Sequence, residues 1–163
     1  MRKEDLKPQI LRKDGAHIIW RNFAGAASKY NREGDRKFTL IIEDPEEAQQ
    51  MVDDGWNVKI KAPEEEGDAP FCYLEVKVKF NQERPRLNPN IYLKSGRKMN
   101  KLDEETVGML DSVDIINVDL DVKGSPYDVN GKVGLSAYLQ GICIEHEVDR
   151  YQRRFAEEEF PDE

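Results

Sequence analysis

Apolar residues recur at every second position from Phe71 to Phe80, so Cys72, Leu74, Val76, Val78 and Phe80 share one face of an extended segment. Phe71, Tyr73, Glu75, Lys77 and Lys79 take the other face. The same period of two predicts strands over Trp56 to Lys61 and Asp114 to Val122, with β-rich runs at His17 to Ala24 and Arg36 to Glu43. A short strand at Ile91 to Lys94 and a final one from about Gly134 to Glu145 complete the pattern. Asn130-Gly131, just before the last strand, favours the positive φ values of a tight turn. Helix signals are few. Asp44-Pro45-Glu46-Glu47 reads as a cap, a proline at the first helical position and acids in the first turn, with Gly55 as the stop. A second short helix is predicted over Leu102 to Leu110, capped by Asp103, and a last helical turn or two over Asp149 to Phe155.

Six or so alternating strands with two short helices predict a mainly β protein, an OB-fold-like antiparallel β-barrel, because closure protects strand edges. A sandwich with appended helices fits the periodicity as well. The polar residues 1–16 read as a loosely held arm, residues 17–148 as the barrel domain, and residues 149–163 as a helical turn leading into a disordered acidic tail. At 163 residues the chain can bury a core without disulfide or metal, and no apolar run approaches the ~20 residues a membrane helix needs. No apolar signal segment follows Met1, so a soluble, non-exported protein is expected. The two cysteines and two histidines, Cys72, Cys143, His17 and His146, include no Cys-x-x-Cys pair and only one Cys and one His near each other, Cys143 and His146, so reduced core thiols are expected and a zinc site is not.

Charge changes this picture because it is segregated. The net charge is -8, yet Glu157, Glu158, Glu159, Asp162 and Glu163 cluster at the end of the chain. Lys77, Lys79, Arg84, Arg86, Lys94, Arg97, Lys98 and Lys101 face a single acid, Glu83, within residues 77–101. Asp103, Glu104, Glu105, Asp111, Asp114, Asp119 and Asp121 then follow without one intervening Lys or Arg. Two opposed fields on one molecule are expected.

The outward face of the Phe71–Phe80 segment combines rings with ammonium groups, a combination suited to unpaired nucleic acid: rings stack on bases and lysines neutralise phosphates. A half-covered strand with snorkelling lysines would show the same residues. Stacking candidates are Phe71, Tyr73 and Tyr92, and phosphate candidates are Lys59, Lys61, Lys77, Lys79, Arg84, Arg86, Lys94, Arg97 and Lys98. Arg21 and Phe23 are added from Trp20-Arg21-Asn22-Phe23, where one of the two rings is expected in the core, and Trp56 is expected to be buried. The basic loop beginning at Arg84-Pro85-Arg86 is placed beside the same wall, able to close over a bound strand.

A rival reading takes Asp114, Asn117, Asp119 and Asp121 as hard oxygen ligands for magnesium in a nuclease. No histidine or lysine stands nearby as a base, and neither a phosphate-binding loop nor a nucleophile elbow is present, so the chain is read as a non-enzyme without cofactor or metal. A third reading is an acidic interaction protein that mimics nucleic acid and captures a basic host enzyme. The tail, with Phe160 and Pro161 among five acids, is suited to occupy the protein's own basic groove or to dock on a partner.

Four blocks in order carry a family likeness: Trp20-Arg21-Asn22-Phe23-Ala24-Gly25, Asn31-Arg32-Glu33-Gly34-Asp35-Arg36-Lys37-Phe38, Gly55-Trp56-Asn57-Val58-Lys59 and the stretch from Asn130 to Leu139. In these the chain resembles the single-stranded DNA-binding proteins of bacteriophages and prophages. The resemblance implies an OB-type barrel that coats unpaired DNA in replication and recombination, in the cytoplasm of a bacterial host. It also implies replication or recombination proteins as partners through residues 157–163, and leaves a homo-oligomer open. The tail departs from the pattern of replication single-strand binders in that Pro161-Asp162-Glu163 follow the aromatic residue.

Overall fold

In the computed structural model, which describes residues 2–148, the alternating segments become nine strands and one α-helix. The strands are β1 (Gln9–Lys13), β2 (His17–Asn22), β3 (Arg36–Ile41), β4 (Lys59–Lys61), β5 (Phe71–Val78), β6 (Asn90–Ser95), β7 (Lys98–Leu102), β8 (Ile115–Val129) and β9 (Lys132–His146). Helix α1 spans Pro45–Asp53. Asp44 accepts a hydrogen bond from the Glu46 amide at 3.0 Å and Gly55 follows with φ +105°, as the start and stop signals require.

The spine is the β8–β9 hairpin, two strands of 15 residues each, turned at Asn130 and Gly131 with φ of +53° and +82°. Hydrogen-bonded order runs β1-β8-β9-β5-β3-β2, with β4 added to β5, and β6 and β7 added to β9 as a hairpin. Most pairs are antiparallel, but β5 and β6 meet β9 in parallel, at Tyr138 and at Gly141 to His146 respectively. The sheet curls around one core, in which Phe23, Phe38, Leu40, Leu74, Val76, Leu135 and Ile144 are almost wholly excluded from water. Among the described residues β1 and β2 form no ladder with each other, so the mainly β architecture holds while the expected full closure does not occur.

Three expectations are corrected. The first sixteen residues are not a loose arm: Leu6 enters the core and β1 pairs with β8 through Gln9 opposite Gly124 to Lys13 opposite Leu120. Its polar alternation hid an edge strand, whose Lys13 also pairs with Glu47 of α1. The predicted second helix, Leu102 to Leu110, is instead the last residue of strand β7, a capped turn and a 3-10 segment, Val107–Asp111. Asp103 does cap, accepting from the Thr106 hydroxyl and the Thr106 and Glu105 amides, which holds its carboxyl below the usual carboxylate range. The chain stays tight there because Gly108 packs against Ala24 and Asp111 is needed by the backbone after β2. Finally, Cys143 is half-exposed on the outer face rather than in the core, its Sγ 3.6 Å from Met99 Sδ, and both cysteines are free. Burial raises the Cys72 and Cys143 thiols above their ordinary value, so both stay protonated at neutral pH. Residues 149–163, with the expected last helical turn and the tail, lie outside the described residues.

Trp56 is buried, as expected, and closes the core beneath the central hairpin. Its indole donates to Gln9 Oε1 at 3.2 Å and its six-membered ring abuts Gly124. A Cβ on Gly124 would come within 2.7 Å of the ring, so Gly124→Ala is expected to cost about 1–3 kcal/mol through overpacking. Urea unfolding measures this, and unchanged stability would mean that Trp56 is not seated there.

Candidate nucleic-acid interface

β5 lies inside the sheet and shows the alternation the sequence predicts. Cys72, Leu74, Val76 and Val78 are buried, Phe71 and Tyr73 are half-exposed, and Glu75 and Lys77 face solvent. Its neighbours bring cations to the rings: Lys59 sits opposite Tyr73 and Lys61 opposite Phe71 on β4, and Lys37 sits opposite Lys77 on β3. The Phe71 and Tyr73 rings lie 5.1 Å apart. A third ring arrives from β2, where Trp20 meets them edge-on at 6.1 and 5.8 Å. Such pairs contribute about 0.5–1.5 kcal/mol each beyond area burial and fix the rings in place.

Trp20 reaches this position because β2 breaks its own alternation. The register against β3 shifts between Ile19 and Asn22, and Trp20 adopts φ +51°, a conformation that costs a side-chain-bearing residue roughly 1–2 kcal/mol. The strain is held from the far side. Arg21 Nη1 donates to the carbonyls of Leu110 and Val113 at 2.7 and 2.9 Å, and the Asp111 carboxylate accepts from the amides of Phe23 and Ala24 at 2.7 and 3.0 Å. Phe23 is 0% exposed and stacks on Phe38 with centroids 5.3 Å apart. Trp20 is left 64% exposed. Of the two rings in this motif, Phe23 is therefore the core residue and cannot meet a base, while Arg21 is tied to backbone carbonyls.

Beside Trp20 the surface opens into a cleft of about 580 Å³, with Thr39 in its floor and Tyr30, Asn31, Lys37 and Glu75 in its walls. Lys37 Nζ lies 3.8 Å from Glu75 Oε2, which offsets the carboxylate on the β5 face. Tyr30 is 82% exposed on a loop, with the Lys29 ammonium 5.6 Å from its ring centre. Asn31 ties that loop together, its Nδ2 donating to the carbonyls of Ala26, Arg32 and Asp35. Gly25, at φ +69°, lets the loop ends meet, since a Cβ there would lie 3.1 Å from the Gly34 backbone. The sequence leaves open which of Trp20 and Phe23 is the core ring, and it does not single out Tyr30, Lys29 or Lys37. The blocks containing Trp20 and Lys37 are visible in the sequence, but only the bulge brings Trp20 to Tyr73 and only strand register sets Lys37 beside Lys77.

The basic segment does not join this trough as one wall. β6 docks further along β9, so Tyr92 lies opposite Cys143 while Lys77 lies opposite Tyr138. Measured along the strands at ~3.3 Å per residue, Tyr92 is on the order of 30 Å from Tyr73. Tyr92 opens onto a second cleft of about 560 Å³ whose walls include Arg12, Asp14, Asp119 and Asp121, and Lys101 lies 6.0 Å from its ring centre. Lys94 pairs with Glu145 at 3.7 Å. Arg86 borders a smaller hollow with Phe80, Lys101, Asp103 and Glu104. Lys79 and Arg84 are exposed between β5 and β6, and Arg97 and Lys98 are exposed at the β6–β7 turn.

The acidic strand is engaged within the protein. Asp119 Oδ1 accepts from the Gly15 amide at 3.0 Å and from Asn117 Nδ2 at 3.1 Å, and Asp121 lies 3.9 Å from Arg12 Nε. Among the described residues no group of three His, Cys, Asp or Glu side chains is arranged to hold a metal ion. No described helix is long and apolar enough to cross a membrane.

Two solved structures of one bacteriophage protein share this fold. The single-stranded DNA-binding protein from bacteriophage Enc34 superposes with a TM-score of 0.53 at 7% identity, over 86% of this chain and 82% of that one. A C-terminal truncation of the same protein gives 0.50 at 11% identity, over 86% of each chain. The single-stranded DNA-binding protein gp2.5 encoded by bacteriophage T7 gives 0.43 at 15% identity, over 87% and 88%. No curated protein matches the chain by sequence. The family model of a putative phage ssDNA-binding domain matches residues 1–163, and the chain belongs to that family.

Proposed function

We propose that the protein binds single-stranded DNA with little sequence preference by laying unpaired bases against Trp20, Phe71 and Tyr73 while Lys59, Lys61 and Lys77 meet the phosphates. The observation that carries this reading is the three-ring cluster, partly open to water and held by a strained bulge, beside lysines set by strand register. A duplex keeps its base faces stacked internally and offers such rings nothing, whereas a single strand offers one face per nucleotide. Tyr30 and Lys29 border the adjoining cleft and extend the surface on the Trp20 side. With stacking and charge as the only recognition, the protein coats and shields phage DNA during replication and recombination without chemistry of its own. The acidic residues 157–163 complement the lysine-bearing trough and compete with DNA for it.

Trp20→Gly separates binding from folding. Glycine adopts φ +51° without strain, which offsets the lost ring contacts, so stability should stay within about 1 kcal/mol of the parent. Affinity for a poly-dT oligonucleotide should fall by about 1–3 kcal/mol in a fluorescence titration. Full affinity in the variant would remove Trp20 from the interface. For the parent protein, neutralising about four phosphates should make log affinity fall against log salt with a slope of roughly -3, and a flat response would exclude phosphate contacts. Deleting residues 157–163 should tighten binding, most of all at low salt. Unchanged or weaker binding by the shortened chain would refute the competing tail.

A further inference from the structure

We infer that bound DNA does not end at Lys77 but turns across the sheet over Tyr138 to Lys123, making these two residues a second contact segment of the interface proposed above, on which this inference rests. Strand register places Lys37, Lys77, Tyr138 and Lys123 in one row across β3, β5, β9 and β8, each opposite the next. Lys77, Tyr138 and Lys123 occupy outward positions between buried neighbours on their strands, and Lys37 stands before the buried Phe38 in the wall of the cleft. Lys77 already leans on Tyr138, with its ammonium 5.8 Å from the ring centre, so a cation and a ring meet at one point of the row, and a base taking the ring face would release the ammonium to its phosphate. Lys123 is exposed at the next strand, about 5 Å further on.

Charge directs the turn. Going on from Tyr138 along β9 and β8, the outward positions bring Asp121, Asp119 and Glu145, and the cations there, Arg12 and Lys94, are already engaged by Asp121 and Glu145, so this flank carries no surplus of positive charge for a phosphate backbone, whereas Ser125 and Ser136 on the other flank of the row are neutral. A polyanion leaving Lys77 therefore meets a cation and a ring across β9 and carboxylates along it. The other cationic exit is the segment bearing Lys79, Arg84 and Arg86, which the experiment below sets against Lys123.

Binding of the full-length protein to dT oligonucleotides of about 4 and about 12 nucleotides, lengths spanning the site sizes of such domains, distinguishes the routes. The short oligonucleotide is held by the three-ring trough, and quenching of Trp20 fluorescence reports its arrival. Lys123→Gln should weaken the long oligonucleotide about fivefold at 0.1 M salt and lower its salt slope by about 0.7, the contribution of one phosphate, while leaving the short one unchanged. Tyr138→Leu should show the same dependence on length with an unchanged melting temperature. Lys132→Gln, on an exposed lysine at the hairpin turn away from the row, should alter neither length. Equal losses at both lengths, no loss at the long length, or a length-dependent loss produced by Arg84→Gln with Arg86→Gln but not by Lys123→Gln would overturn the turn over Tyr138. If the parent protein bound neither length, the trough itself would fall, a distinct result.

Discussion

The three-ring surface depends on one residue held in a left-handed conformation. A continuous β2 would keep alternating and would not present both Trp20 and Arg21 as found, and the rings of β5 would lack their edge-on partner. The bulge sends Trp20 outward and Arg21 toward the 107–111 segment, where two carbonyls receive its guanidinium. Asp111 then secures the next two amides, and Phe23 is driven into the core. Strain of this kind persists only where surrounding bonds over-determine it, and here the surroundings are the 3-10 segment and the Phe23–Phe38 stack. Core packing and the exposed aromatic surface are thus two consequences of the same local break.

The spine hairpin explains how an acidic chain presents a cationic surface. Mobile ions screen exposed charges beyond about 8 Å at physiological salt, so a bound strand responds to its immediate surface and not to the net charge of -8. β9 separates the local fields along its length: it meets Lys77 at Tyr138, then passes Asp121 and Asp119 on β8 while β6 joins its other edge. The acids on that stretch are bonded to Gly15, Asn117 and Arg12, which fastens the start of the chain onto β8. The acidic strand therefore has a structural role on a protein whose basic side is elsewhere.

Much of this was legible in the sequence because period-two alternation is a direct consequence of strand geometry. The buried and outward faces of β5, the capped α1, the Asn130-Gly131 turn and the burial of Trp56 all follow from local chemistry. What local chemistry cannot carry is partnership between strands. Tyr92 and Lys94 were grouped with Tyr73 because they follow it closely and share its chemistry, but β6 pairs with a later stretch of β9 than β5 does. β1 escaped notice since an edge strand with one neighbour shows little apolar signal, and β7 because Lys98, Asn100 and Lys101 read as loop. Trp20 and Phe23 could not be told apart by periodicity, since a bulge shifts the phase that periodicity relies on.

Photo-crosslinking with a dT oligonucleotide carrying 5-iododeoxyuridine, followed by peptide mapping, locates the bases directly. Adducts on Trp20, Phe71 or Tyr73 are expected, since each ring would lie in contact with a base. Adducts confined to Tyr92 and its neighbours on β6, with none on those three rings, would place the DNA on the other cleft and contradict the bulge-built trough.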